Sequence, residues 1–208
     1  ICACLVGSEM CIRDRYQSMQ SSSSLVSYEF TNRLEDLVTM TNIVRSDSTV
    51  QSTLDEIYQP QEDYAVHYYS DIYSALQKHY LEYRQPYLKM AAISCPRFIT
   101  YTNENIACRP DADLTKELIA LAEAGEGSPV WVTSHAEDHG IFLVREIKKI
   151  KNLRLDNLGT LIINVNLGDL VTEISKISNE YKGSYWIIYE KDQLLFSVSY
   201  THLTLPTT

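Results

Sequence analysis

Arg145 lies in the run Ile141-Phe142-Leu143-Val144-Arg145-Glu146-Ile147, where its alternate neighbours Ile141, Leu143 and Ile147 are apolar. A charge on an apolar strand face must find a partner, so Arg145 is either the fixed cation of a binding site or half of a structural ion pair. Trp131, on an earlier strand-like run, offers an indole wall. An indole beside a guanidinium can hold a carboxylate or a sugar acid in a concave site; the bland alternative makes Trp131 core filler. Tyr101, on the hairpin before them, is a further candidate for the lining. His135, Glu137, Asp138 and His139 crowd one turn and have the side chains of a metal site. No second ligand pair of similar quality occurs, so a solvated hairpin tip is expected there and no metal. Arg145, Lys148, Lys149, Lys151 and Arg154 form a basic cluster that could meet anionic head groups or a wall polymer, or simply be a solvated turn. Cys95 and Cys108 are expected to be free thiols, because a hairpin turning near Asn103 and Glu104 would set Cys108 opposite about Ile99.

No Gly-rich phosphate loop, Gly-x-Ser-x-Gly elbow, Cys-x-x-Cys pair or His-Glu-x-x-His helix is present, so neither catalysis nor a cofactor is expected in this fragment. The 208 residues carry 18 Lys plus Arg against 27 Asp plus Glu, a net charge of −9 that disfavours a general nucleic-acid binder. Leu158 to Val165, among the longest apolar stretches, falls far short of the ~18 to 20 residues needed to cross a bilayer. Fifteen tyrosines against 4 phenylalanines imply half-wet aromatic surfaces, with rings packed and hydroxyls paired. Residues 1–15, with Gly7-Ser8-Glu9-Met10-Cys11-Ile12-Arg13-Asp14-Arg15, and residues 198–208 resemble translated sequencing-adapter DNA. Both are expected to lie outside the fold, which leaves 16–197 as a fragment of a longer protein.

The elements that must position these side chains follow from periodicity. Val26, Phe30, Leu34, Leu37, Thr41 and Val44 recur at threes and fours, which predicts a long amphipathic helix starting near the N-cap choices Ser21 to Ser24. Asp47 or Ser48 can cap a short continuation through Val50, Leu54 and Ile57, and Pro60 can open a further helix over 61–84. Strands are expected at 87–94 and 97–102, with Ile106-Ala107-Cys108 returning as a hairpin before an Asp-capped helix from about Asp113 to Ala124. Val130 to Ser134, Ile141 to Ile150, a basic loop, and Leu158 to Val165 read as an antiparallel meander. A helix over 167–178 and a last hairpin, Tyr185 to Tyr189 with Leu194 to Val198, are expected to close the sheet. Helices over 18–85 followed by a mostly antiparallel sheet over 87–197 define one α+β domain.

Ser46-Asp47-Ser48-Thr49-Val50-Gln51-Ser52-Thr53-Leu54, the Trp131 strand, Leu143-Val144-Arg145-Glu146-Ile147 and Leu158-Gly159-Thr160-Leu161-Ile162-Ile163-Asn164-Val165-Asn166 together make the chain similar to the extracytoplasmic Cache sensor domain of YesM-like bacterial sensor histidine kinases. The resemblance covers nearly all of residues 16–197. It implies a PAS-like sheet that senses a small extracellular ligand, and flanking membrane helices outside this fragment. It also implies a cell-membrane location with the domain outside the cytoplasm, a homodimeric receptor, and a kinase downstream. The aromatic and arginine spacing of amino-acid-binding double Cache domains is missing, so the ligand stays open. The same module on a chemoreceptor or a diguanylate cyclase, and a secreted solute-binding protein acting alone, are the alternatives.

Overall fold

The computed structural model describes residues 2–57, 65–103, 105–136, 140–151, 154–176, 185–190 and 193–199. Pro60, the turn residues Glu137 to His139, Lys182-Gly183 and the tail from residue 200 onward lie outside the described residues. Three helices come first, α1 (Cys2–Ser46), α2 (Ser48–Ile57) and α3 (Ala65–Glu82). Then follow β1 (Leu88–Ser94), β2 (Ile99–Tyr101), a 3-10 turn (Ile106–Cys108), α4 (Ala112–Ala124), β3 (Val130–Val132), β4 (Ile141–Lys151), β5 (Arg154–Val165), α5 (Leu167–Ser175), β6 (Tyr185–Glu190) and β7 (Gln193–Ser199). The fold is α+β, as the periodicities require.

By compactness the chain divides into Ile1–Glu35 and Asp36–Thr208, with α1 contributing to both. In the first unit, Ser24 and Thr31 donate their hydroxyls to the carbonyls of Gln20 and Ser27, and Glu29 pairs with Arg33 at 3.7 Å. The expected helix start at Ser21 to Ser24 is corrected: α1 runs through the serines and reaches back to Cys2, across residues expected to be irregular. A serine that bonds back to the carbonyl four residues earlier stays inside a helix, and extending a formed helix costs little per residue.

In the second unit, Leu37, Met40, Thr41 and Val44 of α1 are buried, as are Val50, Leu54 and Ile57 of α2 and Ile72 and Leu76 of α3. The main sheet has the order β2-β1-β5-β4-β3, and every neighbouring pair is antiparallel. Residues opposite one another in a ladder share a face. Met90, Ala92, Ile162, Val144, Phe142 and Val132 pack on Leu114, Leu118 and Ala122 of α4. The other parity, which includes Ala91, Ile93, Leu161, Ile163, Leu143 and Arg145, turns to the opposite face, where α2 and α3 lie against the sheet. Cover on both faces explains why Ile141 to Ile147 is buried without alternation. Gly140 enters β4 at φ +80°, where a Cβ would also collide with the Val165 carbonyl oxygen.

The β3-β4-β5 meander is as expected, but three expectations are corrected. Ile106-Ala107-Cys108 is a 3-10 turn and not a returning strand, because Asn105 Oδ1 accepts from Ala107 N at 3.1 Å and Asn103 Oδ1 from Asn105 N at 2.8 Å. Local amide bonds of this kind outcompete a ladder. The stretch expected as a basic loop after Ile150 is largely strand, with Lys151 paired to Arg154. The last hairpin forms a separate two-stranded sheet, β6 with β7.

Asp111 caps α4 by accepting from Asp113 N at 3.0 Å and Leu114 N at 2.8 Å. Asp111→Ala is expected to lower stability by about 1 kcal/mol, read as a shift in the urea midpoint at constant slope. An unshifted midpoint would remove the cap from the account.

Candidate functional site

Arg145 is 7% exposed and stands on the sheet face that looks toward the helices. Its Nε donates to the Gly127 carbonyl at 2.8 Å, and its Nη1 to Thr41 Oγ1 at 3.0 Å and Asn42 Oδ1 at 2.6 Å. Thr41 Oγ1 in turn donates to Val38 O at 2.7 Å, so the hydroxyl accepts from the guanidinium while its own proton serves the helix. All three acceptors of Arg145 are neutral. Burial holds its pKa below the ordinary guanidinium value, and the like charge of Arg45 adds to the effect. The structural ion pair considered for Arg145 is therefore replaced by a clamp: one strand residue ties β4 to the last turns of α1 and to the turn at Gly127.

Trp131 pairs with Leu143 across the β3/β4 ladder and so shares the face of Arg145, one step away along β4; it is half-buried. Tyr101 does not join them. It pairs with Ala92 and packs on the α4 side, at the β2 edge of the sheet, whereas Trp131 stands at the β3 edge. Arg109 lies over its ring at 4.6 Å while donating to Asn103 O at 2.9 Å. Burial pushes the Tyr101 hydroxyl pKa up, and Arg109 opposes that shift. The parity of β2 is the reason: one residue either way would have put Tyr101 on the Arg145 face.

The other groups with chemistry are engaged elsewhere. His135 Nε2 meets Glu117 Oε2 of α4 at 3.1 Å. Among the described residues no cluster of three or more His, Cys, Asp or Glu could hold a metal ion. In the basic cluster Lys148 pairs with Glu146 at 2.7 Å and Lys149 with Asp55 at 3.0 Å. Cys95 and Cys108 are free thiols, and Cys95 Sγ donates to Phe98 O at 3.3 Å.

A second node was not foreseen from the residues. Asp47 separates α1 from α2 and caps α2 with one carboxylate oxygen, accepting from Thr49 N at 2.8 Å and Val50 N at 3.1 Å. Its other oxygen lies 2.9 Å from Nε2 of buried His79 on α3. Gln51 Nε2 covers the Arg45 carbonyl at 2.7 Å. Capping by Asp47 was legible; its bond to His79 was not, since 32 residues intervene.

The fold and these nodes define an α+β domain whose leading helix is fixed to a buried sheet strand by polar bonds. No protein-family model matches the chain, and no curated protein matches it. Among the described residues no helix is long and apolar enough to cross a membrane.

Proposed function

We propose that this chain is the extracellular ligand-sensing domain of a transmembrane sensor histidine kinase, non-catalytic in itself, which works as a homodimer in the whole receptor. The observation that carries the reading is the Arg145 clamp. A buried strand residue that bonds directly to Thr41 and Asn42 of α1 makes any rearrangement of the sheet a change in the helix register. A ligand drives such a change only by binding two arrangements unequally, so the effector is a small solute that contacts the sheet or its covering helices.

The test is the uninterrupted gene. A membrane-spanning helix on each side of this domain and a histidine kinase after the second are expected. A cleaved signal peptide upstream with no membrane helix downstream would replace this reading with a secreted solute-binding protein. In the full receptor, ligand-stimulated autophosphorylation is expected to disappear in Arg145→Met while basal phosphorylation remains. Unchanged stimulation would remove the clamp from the signalling path.

A further inference from the structure

The Arg145 guanidinium bonds through Nε and Nη1, and the oxygens it meets, on Gly127, Thr41 and Asn42, are all neutral. Among the described residues its third nitrogen, Nη2, bonds to nothing. It is not one of the buried side-chain atoms left without a partner, so the 7% of Arg145 still open to solvent includes this nitrogen. Asn42 is exposed and spends its oxygen on Nη1 at 2.6 Å, which leaves its amide nitrogen as a second unused donor beside the guanidinium.

Arg45 adds a further set of donors. It follows Thr41 by four residues and Asn42 by three on α1, so it stands on the helix face to which Arg145 is bonded. The charge that acts on Arg145 is that of Arg45, a like charge, and no acid opposes it. Among the described residues neither guanidinium makes an ion pair, and the acids closest in sequence are engaged elsewhere, Asp47 with His79 and the α2 amides and Glu146 with Lys148. Buried charges are normally paired, and two cations brought together with unused N–H groups and no acid repel one another until an anion joins them. Donors without an acceptor suit a negative group.

We propose that Arg145 Nη2, the Asn42 amide and the Arg45 guanidinium bind a small oxyanion, a carboxylate, sulfate or phosphate group, where the end of α1 meets β4. The donors lie at the solvent margin of that contact, so the anion needs no enclosed cavity. Seated there it bonds to α1 and to β4 at once, the two elements that the clamp joins, and favours the arrangement that keeps them together. The inference deepens the sensory reading by naming the class of effector, and rests on it for the signalling consequence alone, because binding is measured on the isolated 208-residue chain.

The experiment is thermal melting of that chain at neutral pH with sodium acetate, malonate, sulfate or phosphate raised to about 10 mM, each compared with sodium chloride at the same ionic strength; general salt exclusion acts at far higher concentrations. A saturable rise in melting temperature with at least one oxyanion is expected, with the apparent Kd weakened about tenfold in Arg45→Gln and no saturable rise in Arg145→Met. Arg45→Gln leaves every bond of the clamp in place, so its loss of binding is not a loss of fold, and it decides the matter if Arg145→Met fails to fold. A response to acetate or malonate alone assigns the site to the carboxylate of an organic solute, and one to sulfate or phosphate alone to an inorganic or phosphorylated one; either supports the proposal. No saturable rise with any of the four, or a rise with the same midpoint in Arg45→Gln as in the parent, would overturn it. If an oxyanion binds and autophosphorylation of the whole receptor ignores it, the site stands and the sensory reading falls. If none binds while the receptor answers another solute, the site falls alone.

Discussion

Arg145→Ala is expected to destabilise the domain by about 3 kcal/mol and to strip hydrogen-exchange protection from the end of α1 before that of the sheet. The substitution removes bonds to Gly127, Thr41 and Asn42 and leaves a void beneath α1. Opposing this, deleting the guanidinium removes a buried charge with no acid against it, near Arg45, and that relief is favourable. The two effects separate in Arg145→Met, which fills the volume and has no charge. Its expected loss is about 1 kcal/mol, because only the hydrogen bonds are missing. Urea unfolding gives both numbers. Protection of amides 37–46 identical to the parent in both variants would show that the apolar seam alone holds α1, and the clamp would then have no structural role.

That seam was the most legible part of the fold. Leu37, Thr41 and Val44 mark it at helical spacing, and all three are buried. Val26, Phe30 and Leu34 continue the pattern but are only half-buried. Periodicity thus reports which face would be covered and not how far the cover extends. The serines misled in the same way: a capping side chain and a back-bonding one have identical chemistry, and only the carbonyl that Ser24 reaches distinguishes them. Strand pairing was legible for β6 with β7, but alternation says nothing of which sheet a hairpin joins.

The site was legible one residue at a time and not as an assembly. An arginine on an apolar strand face announces that acceptors exist, and a threonine inside the apolar stripe of a helix announces a donor; here they are the same bond, 104 positions apart. Neither signal says that the other answers it. Tyr101 is a candidate for the lining by its place on the preceding hairpin, yet face is set by counting residues through the Cys95 to Phe98 turn, and Tyr101 falls opposite Ala92.

The Asp47 node gives the other large effect. Asp47→Ala deletes the cap of α2 and the partner of buried His79 together, and is expected to cost about 2 to 3 kcal/mol. Asp47→Asn keeps an oxygen for the Thr49 and Val50 amides and should cost about 1 kcal/mol. The parent also predicts a pH dependence. Burial alone would raise the Asp47 pKa; the bond to His79 and the amides of Val50 and Thr49 outweigh it, so the carboxyl sits below its ordinary value. A carboxyl whose folded pKa is depressed stabilises the fold fully above the unfolded pKa of about 3.9 and loses that contribution as the pH falls through the folded value. Stability measured by urea midpoint from neutral pH downward should therefore decline more steeply below about pH 4 in the parent than in Asp47→Asn, whose amide does not titrate. Glu82 lies 3.8 Å from His79 Nδ1 and is common to both proteins, so the difference between the two curves isolates Asp47. Parallel curves throughout would mean that the His79 bond does not hold the junction of α1 and α2 in solution.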